Sequence, residues 1–358
     1  MTDLSKGRIL VTGGAGFIGS ALIWALNRRG YHDILVTDFL HKDEKWKNLV
    51  ALRFTDYLEA DRFAEMLARN PNLFHDVRAI FHLGACSATT EMDASYLIRN
   101  NFEWTKTLAH FALERQVRFV YASSAATYGA RAVGVSEGKP LDKLRPLNMY
   151  GYSKHLFDIY AQNAGFLPKI TGLKFFNVFG PNENHKAEMR SVVSKAFHQI
   201  CETGTVRLFK SYRPDFAHGC QMRDFLYIKD AVNAIIFLAE HVDGGGLFNL
   251  GSGEANTWLS LVTPIFTALG RAPCIQFIDM PEPLRRKYQY FTSANIDKLR
   301  KAGFTQAMTP LHTAVTDYVT NYLVPELFLG DEDQQEATAE LTREAQVEPG
   351  MRSISVTA

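Results

Sequence analysis

Tyr150 and Lys154, four residues apart, are the side chains in this sequence with the clearest potential for acid–base chemistry. The surrounding segment has helical periodicity, and residues at positions i and i+4 lie on one face of a helix. A neighbouring ammonium lowers the pKa of a phenol, so that the tyrosine can exchange a proton near neutral pH. The pair alone is a weak signal, because this spacing occurs on many exposed helices.

A serine upstream of this pair strengthens the interpretation. Ser124 follows the apolar run of residues 117–122 and lies where a parallel strand is predicted to end. Its hydroxyl can hydrogen-bond the same substrate oxygen that exchanges a proton with Tyr150. The two hydroxyl groups are therefore predicted to act on one atom of the substrate.

A glycine-rich loop near the N-terminus predicts a phosphate site. Gly13, Gly16 and Gly19 follow the β-branched run of residues 8–12 and open an amphipathic stretch over residues 20–29. Glycines at this spacing permit a tight turn, a close approach of the backbone to a pyrophosphate and close packing of the helix on the strand. The helix N-terminus adds free N–H groups and the positive end of a dipole. The loop therefore predicts a bound dinucleotide.

The end of the second predicted strand bears on which dinucleotide is bound. Asp38 lies 19 residues after Gly19, where a carboxylate hydrogen-bonds the ribose 2′-hydroxyl of NAD and repels a 2′-phosphate. Lys42, Lys45 and Lys47 follow closely, and any of them could neutralise a 2′-phosphate. The residues alone leave the choice between NAD and NADP open.

The elements that must position these side chains alternate between strand and helix. Near-continuous apolar runs predict parallel strands that are covered on both faces, at residues 8–12, 33–38, 78–83, 117–122 and 169–177. Strands separated by helical segments imply βαβ units. We therefore expect an α/β fold with a Rossmann-type, doubly wound parallel sheet.

The pattern becomes less regular beyond residue 180, which predicts a smaller C-terminal lobe interleaved with the first. We expect a dinucleotide-binding domain over residues 1–180 and a mainly substrate-binding lobe over residues 181–329. Segments near residues 224–250 are predicted to pack back on the first domain. Residues 330–358 are acidic, polar and poor in aromatic side chains, and we expect this tail to be disordered.

Composition excludes several classes of protein. The 358 residues include 39 Lys and Arg against 38 Asp and Glu, a balance that argues against nucleic acid or an anionic membrane as the main partner. No apolar run approaches the roughly 20 residues that a membrane helix needs. With no secretory signal at the N-terminus, we expect a cytoplasmic protein. The scattered cysteines suggest neither a metal site nor a disulfide framework: Cys86, Cys201, Cys220 and Cys274.

Three motifs carry a resemblance to a known family. They are TGGAGFIG at residues 12–19, SSAATYG at residues 123–129 and YGYSK at residues 150–154. The set resembles the extended short-chain dehydrogenase/reductases, most of which modify nucleotide sugars. The resemblance implies a Rossmann domain, a nicotinamide cofactor, and a catalytic set of serine, tyrosine and lysine.

A narrower similarity is to the epimerases of ADP-linked heptose. It rests on FHLGACSATTE at residues 81–91, FNVFGPNENHK at residues 176–186, Asn100-Asn101, Arg223-Asp-Phe and Lys287-Tyr-Gln. It implies an isomerase that inverts carbon six of the sugar by transient oxidation and reduction, for the heptose of the lipopolysaccharide core. It also implies a homo-oligomer with one tightly bound cofactor per subunit, NADP with NAD as the alternative.

The resemblance assigns roles to individual residues. The catalytic set it implies is Ser124, Tyr150, Lys154 and Lys186, with Tyr150 and Lys186 as the two acid–base groups. The alternative for Lys186 is a contact with the cofactor or the diphosphate without proton transfer. The residues it places around the cofactor are Gly13, Gly16, Phe17, Ile18, Gly19, Asp38, Phe39, Lys45, Leu83, Gly84, Ala85, Cys86, Ser87, Asn100, Lys154 and Val178. Those it places around the nucleotide sugar are Asn177, Glu188, Lys195, Phe209, Lys210, Ser211, Tyr212, Arg223 and Tyr288.

Other functions fit parts of the pattern. A UDP-sugar 4-epimerase keeps the same serine, tyrosine and lysine, so only residues of the substrate lobe separate it from a heptose epimerase. Family dehydratases carry Asp-Glu where this sequence has Ala125-Ala126, and without those carboxylates water elimination lacks its acid and base. A non-catalytic dinucleotide sensor of the same fold commonly loses the tyrosine or lysine, and both are present here.

Overall fold

The computed structural model describes residues 2–130, 136–285 and 288–333. In chain order the strands are β1 (Arg8–Thr12), β2 (Ile34–Asp38), β3 (Asp56–Glu59), β4 (Val77–His82), β5 (Arg118–Ser124), β6 (Thr171–Phe175), β7 (Asn177–Phe179), β8 (Val206–Phe209), β9 (Met222–Tyr227), β10 (Gly246–Leu250), β11 (Ala255–Thr257) and β12 (Ile275–Ile278).

The α-helices alternate with these strands. They are α1 (Phe17–Asn27), α2 (Ala60–Arg69), α3 (Ala94–Leu97), α4 (Trp104–Glu114), α5 (Met149–Asn163), α6 (Val192–Thr203), α7 (Ile228–His241), α8 (Trp258–Ala268), α9 (Glu282–Arg285), α10 (Asp297–Lys301) and α11 (Leu311–Tyr318). Short 3-10 segments at Ala125–Tyr128 and Asn184–Met189 carry parts of the site described below.

The central sheet has seven parallel strands in the order β10-β6-β5-β4-β1-β2-β3. The predicted doubly wound parallel sheet is therefore confirmed. The strand order reverses between β1 and β4, and ligands of such sheets bind in the crevice beyond the carboxyl ends of the strands at that point. The glycine loop after β1 and the segment after β4 meet there.

The apolar runs form strands because their side chains are buried on both faces of the sheet. In β1, Ile9 and Val11 belong to one hydrophobic core, and Leu10 between them belongs to the other. This alternation follows from the two-residue period of a strand. Helices cover both faces, and α1 and α7 pack against each other on one of them.

The described strands outside the central sheet form two smaller sheets. β9 pairs with β7 in parallel and with β11 antiparallel. β12 pairs in parallel with β8. The predicted strand over residues 169–177 is divided between sheets: β6 ends at Phe175, and the buried Phe176 donates its N–H to the Leu250 carbonyl at 2.9 Å before β7 begins.

The C-terminal part of the described chain contributes one strand to the central sheet. β10 is the edge strand beside β6, paired from Gly246 to Leu250, and α7 packs on α1. The division into two domains at residue 180 stays a prediction. Of the predicted tail, Asp333 is paired with Arg28 at 2.8 Å, and residues 334–358 lie outside the described residues.

Neither a metal cluster nor a membrane helix is found in the part of the chain that the structure describes. No three His, Cys, Asp or Glu side chains among those residues are grouped so that they could hold a metal ion. No helix among them is long and apolar enough to cross a membrane.

Candidate active site

The glycine loop has the close contacts that a dinucleotide site requires. Gly13 has a φ of +68°, and a Cβ there would lie 2.5 Å from the backbone of Gly84. A Cβ on Gly19 would lie 2.0 Å from the Gly13 carbonyl oxygen. Side chains at these positions would push the loop apart, since real Cβ contacts are longer. The loop therefore leaves its backbone open to a pyrophosphate at the start of α1.

The Asp38 carboxylate is bound to the glycine loop itself. Its Oδ2 accepts hydrogen bonds from the N–H groups of Ala15 at 3.0 Å and Gly16 at 3.1 Å. Its Oδ1 accepts from the N–H of Phe39 at 2.7 Å and from Nζ of Lys45 at 3.0 Å. The carboxylate thus connects the end of β2 to the loop and is paired with a cation.

The helix α5 holds the tyrosine and lysine next to the end of β5. The Asn148 side chain caps the helix by accepting the Gly151 N–H at 2.7 Å. A Cβ on Gly151 would lie 2.9 Å from the Ala126 carbonyl oxygen, so the glycine allows the helix to approach the segment that follows Ser124. Tyr150 lies in the first helical turn.

Burial, more than charge, sets the proton affinity of this pair. It raises the pKa of Tyr150, and a hydrogen bond with Ser124 acts in the opposite direction. Burial lowers the pKa of Lys154 from 10.5 to about 8, against the opposing effect of the Asp158 carboxylate. Desolvation of the phenolate is the largest contribution to the pKa of Tyr150 here, and the lowered pKa expected beside Lys154 and an oxidised nicotinamide stays a prediction.

Lys186 lies on the 3-10 segment Asn184–Met189, opposite the start of α1. Its Nζ is 4.9 Å from the centre of the Phe17 ring. Burial lowers the pKa of Lys186, the Glu183 carboxylate raises it and the Lys195 ammonium lowers it. A lysine with a reduced proton affinity is suited to exchange protons near neutral pH.

Two cavities meet between the halves of the chain, one of about 390 Å³ against the glycine loop and one of about 510 Å³ against the C-terminal residues. Seven residues line both: Phe17, Ile18, Ser87, Tyr150, Phe175, Lys186 and Met189. Tyr150 and Lys186 are the two ionisable side chains among these seven. The groups that can donate or accept protons therefore lie where the two cavities join.

Most of the predicted cofactor residues line the cavity at the glycine loop. They are Gly13, Gly16, Phe17, Ile18, Gly19, Asp38, Lys45, Leu83, Gly84, Ala85, Cys86, Ser87 and Lys154. Phe39 and Asn100 line an adjoining cavity of about 180 Å³ that also contains Asp38 and Lys45. Val178 lies elsewhere, in the wall of the second cavity. The loop, the acidic residue and the open backbone fit a nicotinamide dinucleotide.

The predicted sugar-nucleotide residues are more dispersed. Ser124 and Asn177 line the second cavity. Trp258 also lines the second cavity, and it connects Arg223 and Tyr288 to that cavity. The Arg223 guanidinium lies 5.6 Å from the centre of the Trp258 ring, and the indole N–H donates to the Tyr288 hydroxyl at 2.9 Å. Sequence reasoning missed Trp258, because no motif surrounds it.

The segment after β8 lies further from the cavity. The predicted residues there are Phe209, Lys210, Ser211 and Tyr212, and they are absent from the described cavity walls. The Tyr212 N–H donates to the Tyr290 hydroxyl at 3.0 Å, and the Tyr290 ring contacts that of Tyr288. The Glu188 side chain is 96% exposed and 3.9 Å from Lys195, so neither residue contacts the cavity in this structure.

A Rossmann sheet with a dinucleotide loop and a serine, tyrosine and lysine at the adjoining cavity defines a short-chain dehydrogenase/reductase type of site. The model of the NAD dependent epimerase/dehydratase family matches residues 9–251. The chain belongs to this family, and within it to the ADP-L-glycero-D-manno-heptose-6-epimerases.

Two curated relatives support the narrower placement. The ADP-L-glycero-D-manno-heptose-6-epimerase of Nitratidesulfovibrio vulgaris strain DP4 is 52% identical over 88% of this chain and 97% of that protein. The protein of the same name from Fusobacterium nucleatum is 44% identical over 89% of this chain and 98% of its own length. The predicted family is therefore confirmed.

Solved structures agree on the fold. The ADP-L-glycero-D-manno-heptose-6-epimerase of Helicobacter pylori superposes with a TM-score of 0.77 at 27% identity, over 90% of this chain and 98% of that one. A UDP-N-acetylglucosamine 4-epimerase from Methanobrevibacter ruminantium superposes with a TM-score of 0.76 at 22% identity, over 91% and 100% of the two chains. The second likeness shows the fold alone.

Proposed function

We propose that this protein inverts carbon six of an ADP-linked glycero-manno-heptose, with Tyr150 and Lys186 as its two acid–base groups. The observation that carries the proposal is that both side chains lie where the cofactor cavity joins the second cavity. The names of the curated relatives support the heptose over a UDP-sugar. The product supplies the heptose of the lipopolysaccharide core.

A nicotinamide bound at the glycine loop supplies a reversible hydride acceptor for the sugar carbon. Tyr150, hydrogen-bonded to Ser124, exchanges the proton of the substrate hydroxyl when the sugar presents one face. Lys186 exchanges it when the opposite face is presented, because the ketone must turn over between the two transfers. Lys154, which lines the cavity at the glycine loop with Tyr150, would help to hold the cofactor and would supply a positive charge near the tyrosine. Arg223, buried against Trp258 at the second cavity, would bind the nucleotide sugar.

We infer that the cofactor is NADP, because Lys45 neutralises the carboxylate that would repel a 2′-phosphate. The cofactor is regenerated in each turnover, so tight binding is favoured over exchange. We also infer a homo-oligomer that acts in the cytoplasm, as the family resemblance implies.

The test uses purified protein with no added cofactor, incubated with ADP-D-glycero-D-manno-heptose. Proton NMR follows the configuration at carbon six. We expect the L-glycero epimer to accumulate until the two forms reach equilibrium. Absence of conversion, with NADP and NAD each added in turn, would contradict the substrate assignment.

Two variants test the acid–base roles. Tyr150→Phe and Lys186→Ala should each reduce epimerisation by about 10²–10⁴-fold, the usual contribution of general acid–base catalysis. Tyr152→Phe, a change on the exposed side of the same helix, is the matched control for the tyrosine. Turnover at the wild-type rate in either test variant would contradict the role assigned to that residue.

A further inference from the structure

The segment that carries Lys186 has an unusual backbone. Asn182 before the lysine has a φ of +74°, and Ala187 after it has a φ of +45°. Residues with a Cβ rarely adopt the left-handed region, and they persist there where surrounding contacts fix them. The position of the lysine therefore depends on anchors outside the segment.

One anchor is the buried carboxylate of Glu183. Its side chain is inaccessible to solvent. Its two oxygens accept hydrogen bonds from the backbone N–H of Ser191 at 2.5 Å, the Ser191 hydroxyl at 2.6 Å and the Tyr318 hydroxyl at 3.1 Å. Because Glu183 and Ser191 stand on either side of Lys186 in the chain, the carboxylate closes the base of the loop.

The three partners of this carboxylate all donate hydrogen bonds. Burial raises the pKa of Glu183, and the Lys186 ammonium and the hydrogen bonds from Ser191 and Tyr318 act in the opposite direction. Ser191 is the N-cap of α6, so the negative charge also lies at the positive end of a twelve-residue helix. These contacts favour the ionised form of Glu183 and oppose the effect of its burial.

A second set of contacts holds the residue before Glu183. The Asn182 amide donates to the Ser20 hydroxyl on α1 at 3.0 Å. The Oδ1 atom of the same side chain accepts the Leu329 N–H at 2.9 Å. Tyr318 and Leu329 both belong to the C-terminal residues 311–333, so this part of the chain supports the lysine loop from two sides.

The groups that face Lys186 come from three elements. Glu183 on its own loop is the negative one, and Lys195 on α6 is positive. The neighbouring His185 has its pKa lowered by burial to about 4 and is therefore neutral near pH 7. On α1 the facing side chain is the ring of Phe17. Glu183 is thus the group that favours the protonated form of the lysine.

We propose that Glu183 is a positioning residue for Lys186: held by Ser191 and Tyr318, its carboxylate fixes the loop and supplies the negative charge beside the lysine. The inference rests on the proposed function, in which Lys186 exchanges a proton with the substrate. Through Tyr318, α11 would support the active site, although none of its residues lines the described walls of either cavity.

The test compares Glu183→Gln and Tyr318→Phe with the wild-type protein and with Tyr322→Phe. Tyr322 lies four residues beyond Tyr318, and its hydroxyl contacts the carboxylate of Glu332 instead. Glu183→Gln keeps the size of the side chain and removes its charge, and Tyr318→Phe removes a single hydrogen bond. Two quantities are measured: steady-state epimerisation, and the pH midpoint at which acetic anhydride labels Lys186, read by mass spectrometry of its peptide.

We expect Glu183→Gln to reduce kcat at least tenfold with little change in KM, and to lower the labelling midpoint of Lys186 by about one pH unit, since an opposite charge is removed. Tyr318→Phe should move both quantities in the same direction by less, and Tyr322→Phe should move neither. A wild-type kcat or an unchanged midpoint in a folded Glu183→Gln protein would overturn the proposal. If the Glu183→Gln protein does not fold, Tyr318→Phe provides the test, and an unchanged labelling midpoint of Lys186 in that variant would overturn the proposal.

The labelling measurement needs no substrate, which separates this inference from the proposed function. If the wild-type protein fails to epimerise the heptose but the midpoint shifts as expected, the substrate assignment fails and the electrostatic effect of Glu183 on Lys186 stands. If the heptose is epimerised and the midpoint does not shift, the proposed function stands and the positioning role fails.

Discussion

The ammonium of Lys45 lies 3.0 Å from Oδ1 of Asp38, and both side chains are largely buried, at 15% and 10% exposure. The pair places a positive charge beside the carboxylate that follows β2, in the wall of the cofactor cavity. An unpaired carboxylate at this place favours NAD. The ion pair therefore changes the electrostatic environment in favour of a cofactor with an additional phosphate.

Replacement of Lys45 should change the cofactor preference. Lys45→Ala removes the positive charge and leaves Asp38 to repel a 2′-phosphate, so affinity for NADPH should fall roughly 10–100-fold relative to NADH, the value of one charge-assisted contact. Fluorescence titration of the protein freed of cofactor measures both affinities. Lys47→Ala is the matched control, because Lys47 is paired with the exposed Glu44 at 2.7 Å. An unchanged ratio in Lys45→Ala would contradict the NADP inference.

Local features of the site could be predicted from the sequence. The glycine turn, Ser124 at the end of a strand, and Tyr150 and Lys154 on one helix each depend on contacts within a few residues. The apolar runs predicted most of the central sheet for the same reason. The short edge strand β3 was missed because its side chains are half-exposed and its sequence lacks an apolar run.

Features that depend on distant parts of the chain could not be predicted. Trp258 reaches the second cavity only through the packing of α8 beside β9. Glu183 and Tyr318 are 135 residues apart, and although Glu183 lies in the motif of residues 176–186, that motif does not identify Tyr318 as its partner. The placement of Phe209 to Tyr212 outside the cavity walls has the same origin, since it follows from how β8 pairs with β12.

A buried ion pair lies directly behind Ser124. Lys174 on β6 and Asp158 on α5 are 2.7 Å apart with almost no solvent exposure. The lysine also donates to the Thr127 hydroxyl at 2.6 Å, and Thr127 donates to the Ser124 carbonyl at 2.7 Å. The pair thus connects the middle of the sheet to the segment that bears Ser124.

Removal of one partner of this pair should be costly. Lys174→Met leaves the Asp158 charge buried and unpaired, which should lower the free energy of unfolding by about 3–5 kcal/mol. The double variant Asp158→Asn with Lys174→Met removes both charges and should recover part of that loss. Urea unfolding at pH 7 measures each value.

The exposed pair of Lys143 and Asp142, 3.8 Å apart, provides the control for this experiment. Lys143→Met should change the free energy of unfolding by less than about 1 kcal/mol. A double variant as unstable as Lys174→Met alone would show that the cost arises from lost packing and not from the unpaired charge.

The buried Arg223 allows a test of the role of the second cavity. Its guanidinium lies 5.1 Å from the Tyr288 ring centre and 5.6 Å from that of Trp258. Arg223→Met keeps much of the volume and removes the charge, so KM for the nucleotide sugar should rise roughly 10–100-fold with a smaller change in kcat. Arg207→Met, at an exposed position of β8, should leave both constants unchanged. A kcat effect alone would contradict a role in binding.

His82 on β4 is held neutral in the core below the glycine loop. Its Nδ1 lies 2.6 Å from the Thr12 hydroxyl, and its Nε2 lies 2.8 Å from the Thr105 hydroxyl. The histidine is buried, and both of its ring nitrogens have hydrogen-bond partners. Burial lowers the pKa of His82 from 6.5 to about 3, and the charge of Lys154 acts in the same direction.

This histidine should make the protein less stable in mild acid. In the unfolded chain the imidazole binds a proton below about pH 6.5, whereas the folded protein binds it only near pH 3. Stability is therefore lost progressively as the pH falls from 6.5 toward 3, and the loss due to His82 is about 3 kcal/mol at pH 4.5. Urea unfolding at pH 7 and at pH 4.5 measures the decrease in the free energy of unfolding. That decrease should be about 2–3 kcal/mol smaller in His82→Gln, whose amide can bond both threonines, than in the wild type. His75 is exposed, and His75→Gln should lose as much stability between pH 7 and pH 4.5 as the wild type. An equal loss in His82→Gln would show that other groups cause the loss of stability in acid.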